Sequence, residues 1–292
     1  MTNMQDKICL VTGATDGIGK VTALELARMG ASIVIIARDE IKAQQVVEDI
    51  ITKTNNGGVS YLIADLSSLA DIRSVAERFK QQHDELHVLV NNAAQFTASR
   101  RETIDGYEMQ FAVNHLAYFL LTNYLLDTLK ATGTSESKSR IVNVTSKMHV
   151  SAKLNFDDLH NTQGYKGLRT YAESKLANIM FTYELARRLE QETANITVNA
   201  VHPGFVISGL AKDPNSLQGW LLRLGMFLIR WKQMPPEKGA RTSLYVATSP
   251  EVEGITGQYF EKSKVVPSSD ASLVETDWLR LWEISKKLTA LK

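Results

Sequence analysis

The sequence has little of what would place it in several common classes. One cysteine, Cys9, in 292 residues excludes a framework of intrachain disulfides. It lies inside an apolar run and reads as a small buried hydrophobe. An excess of one charge is also missing. The 33 Lys and Arg residues stand against 32 Asp and Glu, so no bulk field draws nucleic acid or an anionic surface. The six histidines form no ligand cluster. His83 and His87 are four apart, but no Glu follows the first and a strand begins at the second, so the zinc pattern H-E-x-x-H is absent. The opening M-T-N-M-Q-D-K has no apolar segment, which argues against a secretion signal. The matches of Asn143-Val-Thr145 and Asn195-Ile-Thr197 to a glycosylation acceptor are then coincidental. Together these absences predict a cytoplasmic, metal-free protein that does not bind nucleic acid.

What is present begins at Lys7–Arg28. An apolar strand, Ile8–Val11, ends at Thr12. Gly13, Gly17 and Gly19 follow, and helical spacing then sets in at Ile18, Val21 and Leu24. A strand, a tight turn and a helix start at this spacing read as a phosphate site, the alternative being a plain strand–helix connector. Backbone N–H groups and the helix dipole favour an anion there, and glycine admits its close approach. The spacing is G-x-x-x-G-x-G rather than the common G-x-G-x-x-G.

The same strand, turn and helix order repeats along the chain. Strands are predicted at Ser32–Ala37, Val59–Ala64, Val88–Val90, Ile141–Thr145 and Ile196–Val201, with a last one at Gly257–Phe260. Helices are predicted at Glu40–Thr54, Leu69–Gln82, Thr103–Thr132 and Thr170–Glu192. Pro235-Pro236 opens another that runs to Thr248, and Ser272–Leu291 closes the chain. Continuous apolar strands alternating with helices predict an α/β fold: one Rossmann-type doubly wound parallel sheet, covered on both faces, in a single domain over 1–292. Ligands bind such sheets beyond the strand C-termini. Gly13–Gly19, Arg38, Asp65, Asn91–Ala94, Ser146 and Pro203-Gly204 all fall at that edge. The apolar stretch Phe205–Met234 is predicted to be a helical lid over an apolar substrate. Arg223 and Arg230 interrupt it, which argues against a membrane span and leaves peripheral membrane contact open.

Tyr171 and Lys175 lie one helical turn apart on one face. An ammonium beside a phenol favours the phenolate, so this spacing predicts a lowered tyrosine pKa and a usable acid/base. With these two residues the chain resembles the classical short-chain dehydrogenase/reductases. The resemblance rests on Thr12-Gly13-x-x-x-Gly17-Ile18-Gly19, Asp65, Asn91-Asn92-Ala93-Ala94, Asn114, Ser146, Tyr171-x-x-x-Lys175 and Pro203-Gly204, in order from about residue 7 to 260. It is nearest to the retinol dehydrogenase branch in Ala37-Arg38-Asp39, Val113-Asn114-His115-Leu116, Val142-Asn143-Val144-Thr145-Ser146, Ser174-Lys175-Leu176-Ala177-Asn178 and Val201-His202-Pro203-Gly204.

The resemblance implies hydride transfer between NAD(P)(H) and a hydrophobic alcohol or carbonyl: a retinoid, a long aldehyde, a steroid or an aromatic ketone. It implies Tyr171 as acid/base and Lys175 on the nicotinamide ribose. Ser146 would hold the substrate oxygen, and Asn114 a water that relays protons. Gly13, Thr15, Asp16, Gly17, Ile18 and Gly19 would form the phosphate turn. Asp65 and Leu66 would bracket the adenine, Asn92, Ala93 and Ala94 the adjoining ribose, and Pro203, Gly204 and Val206 the nicotinamide. It also implies a homodimer or homotetramer. The resemblance is imperfect at Ala94, where the family has glycine, and at Asp16, where it has Ser or Asn. An acidic residue after the second strand would accept from a ribose 2′-OH, whereas Arg38 offers a fork suited to a 2′-phosphate. NADP(H) is therefore the expected cofactor, with NAD(H) as the alternative. The alternative function is a non-catalytic NADP(H) sensor or scaffold on the same fold.

Overall fold

The computed structural model describes residues 2–205 and 234–291. Strands β1 (Ile8–Thr12), β2 (Ser32–Ala37), β3 (Val59–Ile63), β4 (Val88–Asn91), β5 (Ser139–Val144) and β6 (Ile196–His202) join β7 (Tyr259–Glu261) and β8 (Lys264–Val265). They form one sheet in the order β3-β2-β1-β4-β5-β6-β7-β8. Every pairing is parallel except the last, where β8 folds back antiparallel on β7. The chain starts in the middle and winds outward both ways, which is the doubly wound sheet predicted. The order reverses between β1 and β4. That crevice is where such sheets take ligands.

The strands alternate their side chains between two cores. Cys9, Val11, Ile33, Ile35, Val88 and Val90 face one. Leu10, Val34, Ile36, Leu89 and Ile141 face the other. Helices α1 (Gly17–Arg28) and α2 (Glu40–Thr54) cover the first face, with α7 (Pro236–Thr248) against α1. The second face carries α3 (Leu69–Gln82), α5 (Ala117–Thr132) and α6 (Gly167–Gln191), and α8 (Glu275–Leu288) lies on α6. Cys9 has no exposed surface, and burial pushes its thiol up to about 12, so it stays an inert hydrophobe.

Local chemistry sets most boundaries where the sequence places them. Asp39 caps α2 by accepting from Lys42 N–H, and Ser68 caps α3 by accepting from Asp71 N–H. Asn55 ends α2 in the left-handed region at φ 54°. Three helices differ from expectation; the last, expected over Ser272–Leu291, is α8 over Glu275–Leu288, preceded by a separate 3₁₀ turn at Asp270–Leu273. The helix predicted from Thr103 starts at α4 (Met109–Phe111), because Thr103–Tyr107 is a turn closed by Thr103 N–H to Tyr107 C=O with Gly106 at φ 80°. The buried Glu108 carboxylate then caps α4 through Phe111 N–H at 2.6 Å. Between α4 and α5 the backbone widens into a π turn, Ala112–Leu116, with Asn114 at its centre. Helix α6 starts three residues before Thr170, and the predicted strand at Gly257 starts at Tyr259. The predicted lid lies outside the described residues except for its ends, Phe205 and Met234, and so does Val206. Among the described residues, no helix is long and apolar enough to cross a membrane.

Candidate active site

The end of β1 is tied to the end of β4. Thr12 Oγ1 accepts from Asn92 N–H at 2.9 Å and Ala93 N–H at 3.0 Å. Asn92 Nδ2 donates back to the carbonyls of Thr12 and Gly13. This lacing brings the glycine turn against the Asn91–Ala94 segment with no room for side chains. A Cβ on Gly13, at φ 64°, would come 2.7 Å from Ala93 Cα. A Cβ on Gly19 would strike Asn92 Nδ2 and stand 2.5 Å from Gly13 C=O. Above Gly17, also at positive φ, there is open space. The N-terminus of α1 thus faces a clear volume across a floor made of backbone. Helix propensity alone would make Gly19→Ala stabilising by about 1 kcal/mol. The overpacking reverses the sign: a loss of about 1–3 kcal/mol is expected, read as a fall in Tm, with cofactor binding weakened in the same variant.

The volume is a cavity of about 700 Å³. One end is walled by the turn, with Thr15, Asp16, Gly17, Ile18 and Gly19. Beside it lie Arg38, Asp65 and Leu66, and below are Asn92, Ala93 and Ala94. The other end reaches Tyr171, Lys175 and Pro203. One cleft therefore holds most of the residues predicted to bind a dinucleotide. Asn114, Ser146 and Gly204 stand outside its lining. Sequence reasoning misses several residues of the wall, among them Lys42, Gln95, Phe96 and Val113. Lys42 reads in sequence as an ordinary solvated helix charge.

Asp16 caps α1 by accepting from Gly17 N–H at 2.8 Å, so its carboxylate completes the helix start. Asp39 is likewise engaged by its own helix. Its Oδ1 accepts from Lys42 N–H at 3.1 Å, and its Oδ2 pairs with Lys42 Nζ at 3.2 Å. These bonds to Lys42 hold the carboxyl below its usual range. Asp65 Oδ1 accepts from Ser67 N–H and shapes the turn before α3.

At the far end, α6 delivers Tyr171 and Lys175. Its first residue, Gly167, sits where a Cβ would strike Thr97 C=O, so helix and loop touch backbone to backbone. Thr145 Oγ1 donates to Lys175 C=O at 2.7 Å and pins α6 to the end of β5. Lys175 is 1% exposed. Its Nζ donates to Val144 C=O at 3.0 Å and lies 5.7 Å from the Tyr171 ring centre and 5.5 Å from that of Tyr118. Tyr118 Oη donates to the same carbonyl at 3.5 Å. The Tyr171 ring meets Phe96 edge-on at 6.2 Å.

The predicted lowering of the Tyr171 pKa is not what this geometry produces. Burial pushes the phenol up to about 12 and the Lys175 ammonium down to about 7. Desolvation by burial is the cause of both shifts, and it outweighs the attraction the spacing suggests. Asn114 is fixed by protein neighbours. Its Oδ1 accepts from Gln95 N–H at 2.7 Å, and its Nδ2 donates to Gln95 C=O and Ser174 Oγ, each at 3.0 Å. Ser146 caps a 3₁₀ turn, Lys147–Ser151, with Oγ accepting from Met148 N–H at 3.3 Å.

Among the described residues, no group of His, Cys, Asp and Glu could hold a metal. The glycine floor, the open helix end and the two basic side chains at the rim fit a dinucleotide.

Comparison with known proteins agrees with this geometry. The family model described as short chain dehydrogenase matches residues 7–218, and the chain belongs to that family. Human polyprenol dehydrogenase is 40% identical over 287 residues, 98% of this chain and 86% of that one. Human retinol dehydrogenase 14 is 41% identical over 303 residues, 99% of this chain and 88% of that one. These relatives place the chain in the retinol dehydrogenase branch. A crystal structure of an uncharacterized protein from Mycobacterium paratuberculosis superposes with a TM-score of 0.79 at 29% identity, covering 99% of this chain and 96% of that one. The RhlG/NADP active-site complex from Pseudomonas aeruginosa gives a TM-score of 0.70 at 26% identity, covering 88% and 95%. The chain is thus an oxidoreductase of the hydride-transfer type, on a fold that binds a nicotinamide dinucleotide.

Proposed function

We propose that the protein is an NADP(H)-dependent oxidoreductase that interconverts a hydrophobic alcohol and its carbonyl, with Tyr171 as acid/base. The observation that carries this reading is the single cleft. A phosphate turn opens at one end, and a buried phenol with its lysine stands at the other. The bound dinucleotide would supply or accept the hydride. The chain's own part is to hold it and to manage one proton. Gly13–Gly19 and the α1 N-terminus take the phosphates. Asp65, Leu66, Asn92 and Ala93 take the adenosine, and Pro203 bounds the nicotinamide side. Tyr171 Oη gives its proton to the substrate oxygen in reduction and takes it back in oxidation. Ser146 Oγ donates to that oxygen and steadies its charge. A phenol held near 12 starts as the donor, which suits reduction. Lys175, near 7, is already charged in part of the population at neutral pH, and that ammonium steadies the phenolate left behind.

Arg38 and Lys42 support the choice of NADP(H). Both line the cavity, as does Asp39, whose carboxylate is engaged by Lys42 N–H and Nζ. A 2′-phosphate there would meet a guanidinium fork, beside a carboxylate already paired with Lys42 rather than free. The expected ratio of kcat/KM for NADPH over NADH is at least about 30, and Arg38→Asp should cut it by about 100-fold. Equal use of the two cofactors by the natural chain refutes the preference. An apolar substrate is supported by Phe96 in the wall beside Tyr171 and by the polyprenol and retinol named for the relatives. NADPH absorbance loss with retinal, decanal and a charged aldehyde tests it. Turnover of the charged aldehyde above the other two sinks it.

A further inference from the structure

The peptide group that follows Ser146 is gripped at both ends by histidines. Its carbonyl, on Ser146, accepts from His149 Nδ1 at 2.8 Å and from the His149 backbone N–H at 3.2 Å. Its N–H, on Lys147, donates to His202 Nδ1 at 3.3 Å. The two rings come from different elements: His149 from the 3₁₀ turn itself, His202 from the last position of β6. The partners fix the tautomers. A carbonyl can only accept, so His149 carries its proton on Nδ1. Its Nε2 accepts from Ser269 N–H at 3.2 Å, which anchors the ring to the segment before α8. His202 accepts at Nδ1 and so carries its proton on Nε2.

Both side chains are buried, at 1% and 9% exposure. His149 is also braced edge-on by the Tyr259 ring at 5.0 Å. His202 directly precedes Pro203, which lines the cofactor cleft. The same clamp therefore ties the Ser146 turn to the wall at the nicotinamide end. One imidazole would fill the space as well as any ring of that size. Two imidazoles meeting one peptide from opposite sides, each in the tautomer its partner requires, do more than fill space. They restrain that peptide plane, and with it the Ser146 backbone that carries the side chain, while Oγ itself accepts from Met148 N–H at 3.3 Å.

We propose that His149 and His202 act as a pair of positioning residues, holding the Ser146–Lys147 peptide so that the Ser146 hydroxyl stays aimed at the substrate oxygen. This rests on the reading of Ser146 given above. Burial supports it by keeping both rings neutral: it lowers His149 and takes His202 down to about 4. Glu261 opposes that lowering at both rings, while Lys147 favours it at both and Lys262 at His202. Protonated His202 would turn a donor toward the Lys147 N–H.

The test uses the full chain with NADPH and retinal or decanal, and compares Ser146→Ala, His149→Phe, His202→Phe, the double Phe variant, His149→Asn and His202→Asn. Phe keeps the volume and removes the hydrogen bond. Asn offers Nδ2 or Oδ1 close to the place of Nδ1. Each Phe variant is expected to lose about tenfold in kcat with the KM for NADPH unchanged within about twofold. The double variant should lose no more than about 30-fold, not the roughly 100-fold of independent sites, because both rings restrain the same peptide plane. Each Asn variant should return to within about threefold of the natural kcat. Histidine ¹⁵N spectra should show one Nδ1–H and one Nε2–H ring from these positions, independent of turnover. Full kcat in either Phe variant overturns the proposal. So do multiplicative losses, a parallel loss of NADPH binding, or failure of both Asn variants to rescue. An active Ser146→Ala instead brings down the reading of Ser146, and the clamp's function with it.

Discussion

Tyr171→Phe is expected to lower kcat by about 10³-fold while NADPH affinity and Tm stay nearly unchanged. The substitution removes one oxygen and keeps the ring. The contacts that hold Tyr171 in place belong to that ring: the edge of Phe96 at 6.2 Å and the Lys175 Nζ at 5.7 Å. Neither depends on the hydroxyl, so the cleft keeps its shape. Burial already keeps the phenol protonated, so deleting it removes no charge from the fold. The loss should therefore appear in the chemical step alone, measured by single-turnover absorbance of NADPH with NADPH binding followed by fluorescence. If the Tyr171→Phe variant turned over within about threefold of the natural chain, the proton would be coming from elsewhere and the acid/base assignment would fall.

The sheet and most boundaries are legible in the sequence because both are local signals. A continuous apolar strand, a Ser or Asp cap, and an Asn in the left-handed region each act within a few residues. Glu40–Thr54 and Leu69–Gln82 can be read to the residue for that reason. The fold-back of β8 on β7, only two residues long, leaves no such signal. Nor does the true start of α4, which is set by Glu108. That carboxylate is buried against Tyr165 and caps from within the core, a tertiary event that periodicity does not record. The π turn at Asn114 belongs to the same class. Its side chain is drawn to Gln95 and Ser174, residues 19 and 60 positions away. Much of the cleft lining is legible from the strand ends, whereas Lys42 and Phe96 become visible once α2 and the loop after β4 are in place. The pair Tyr171–Lys175 shows the limit most clearly. Spacing reveals that the two groups are neighbours, but not that both are out of water, and burial decides the direction of both shifts.

Lys175→Met is expected to move activity and stability in opposite directions. The ammonium is fully enclosed, and its ordinary value of 10.5 falls to about 7 because burial disfavours the charge. The folded chain therefore binds fewer protons than the unfolded chain between about pH 7 and 10.5, and stability contributed at this site rises with pH across that window. Below it the lysine is charged in both states and the whole penalty of burial applies. The fall from 10.5 to about 7 bounds that penalty at about 5 kcal/mol, and the bond to Val144 with the two flanking rings offsets part of it. Methionine fills the same channel without charge. Its variant should be more stable than the natural chain by about 1–3 kcal/mol at pH 6, or roughly 2–6 °C in Tm, and the advantage should fade toward pH 10. Turnover should drop by at least about 100-fold at every pH. Saturating NADPH should then stabilise the natural chain more than the variant, because the ligand gives the ammonium partners that methionine cannot use. A Tm that falls at pH 6, or an advantage that grows with pH, would mean that Lys175 serves the fold. A gain in stability beside a loss of turnover means that the fold carries this buried charge for the site.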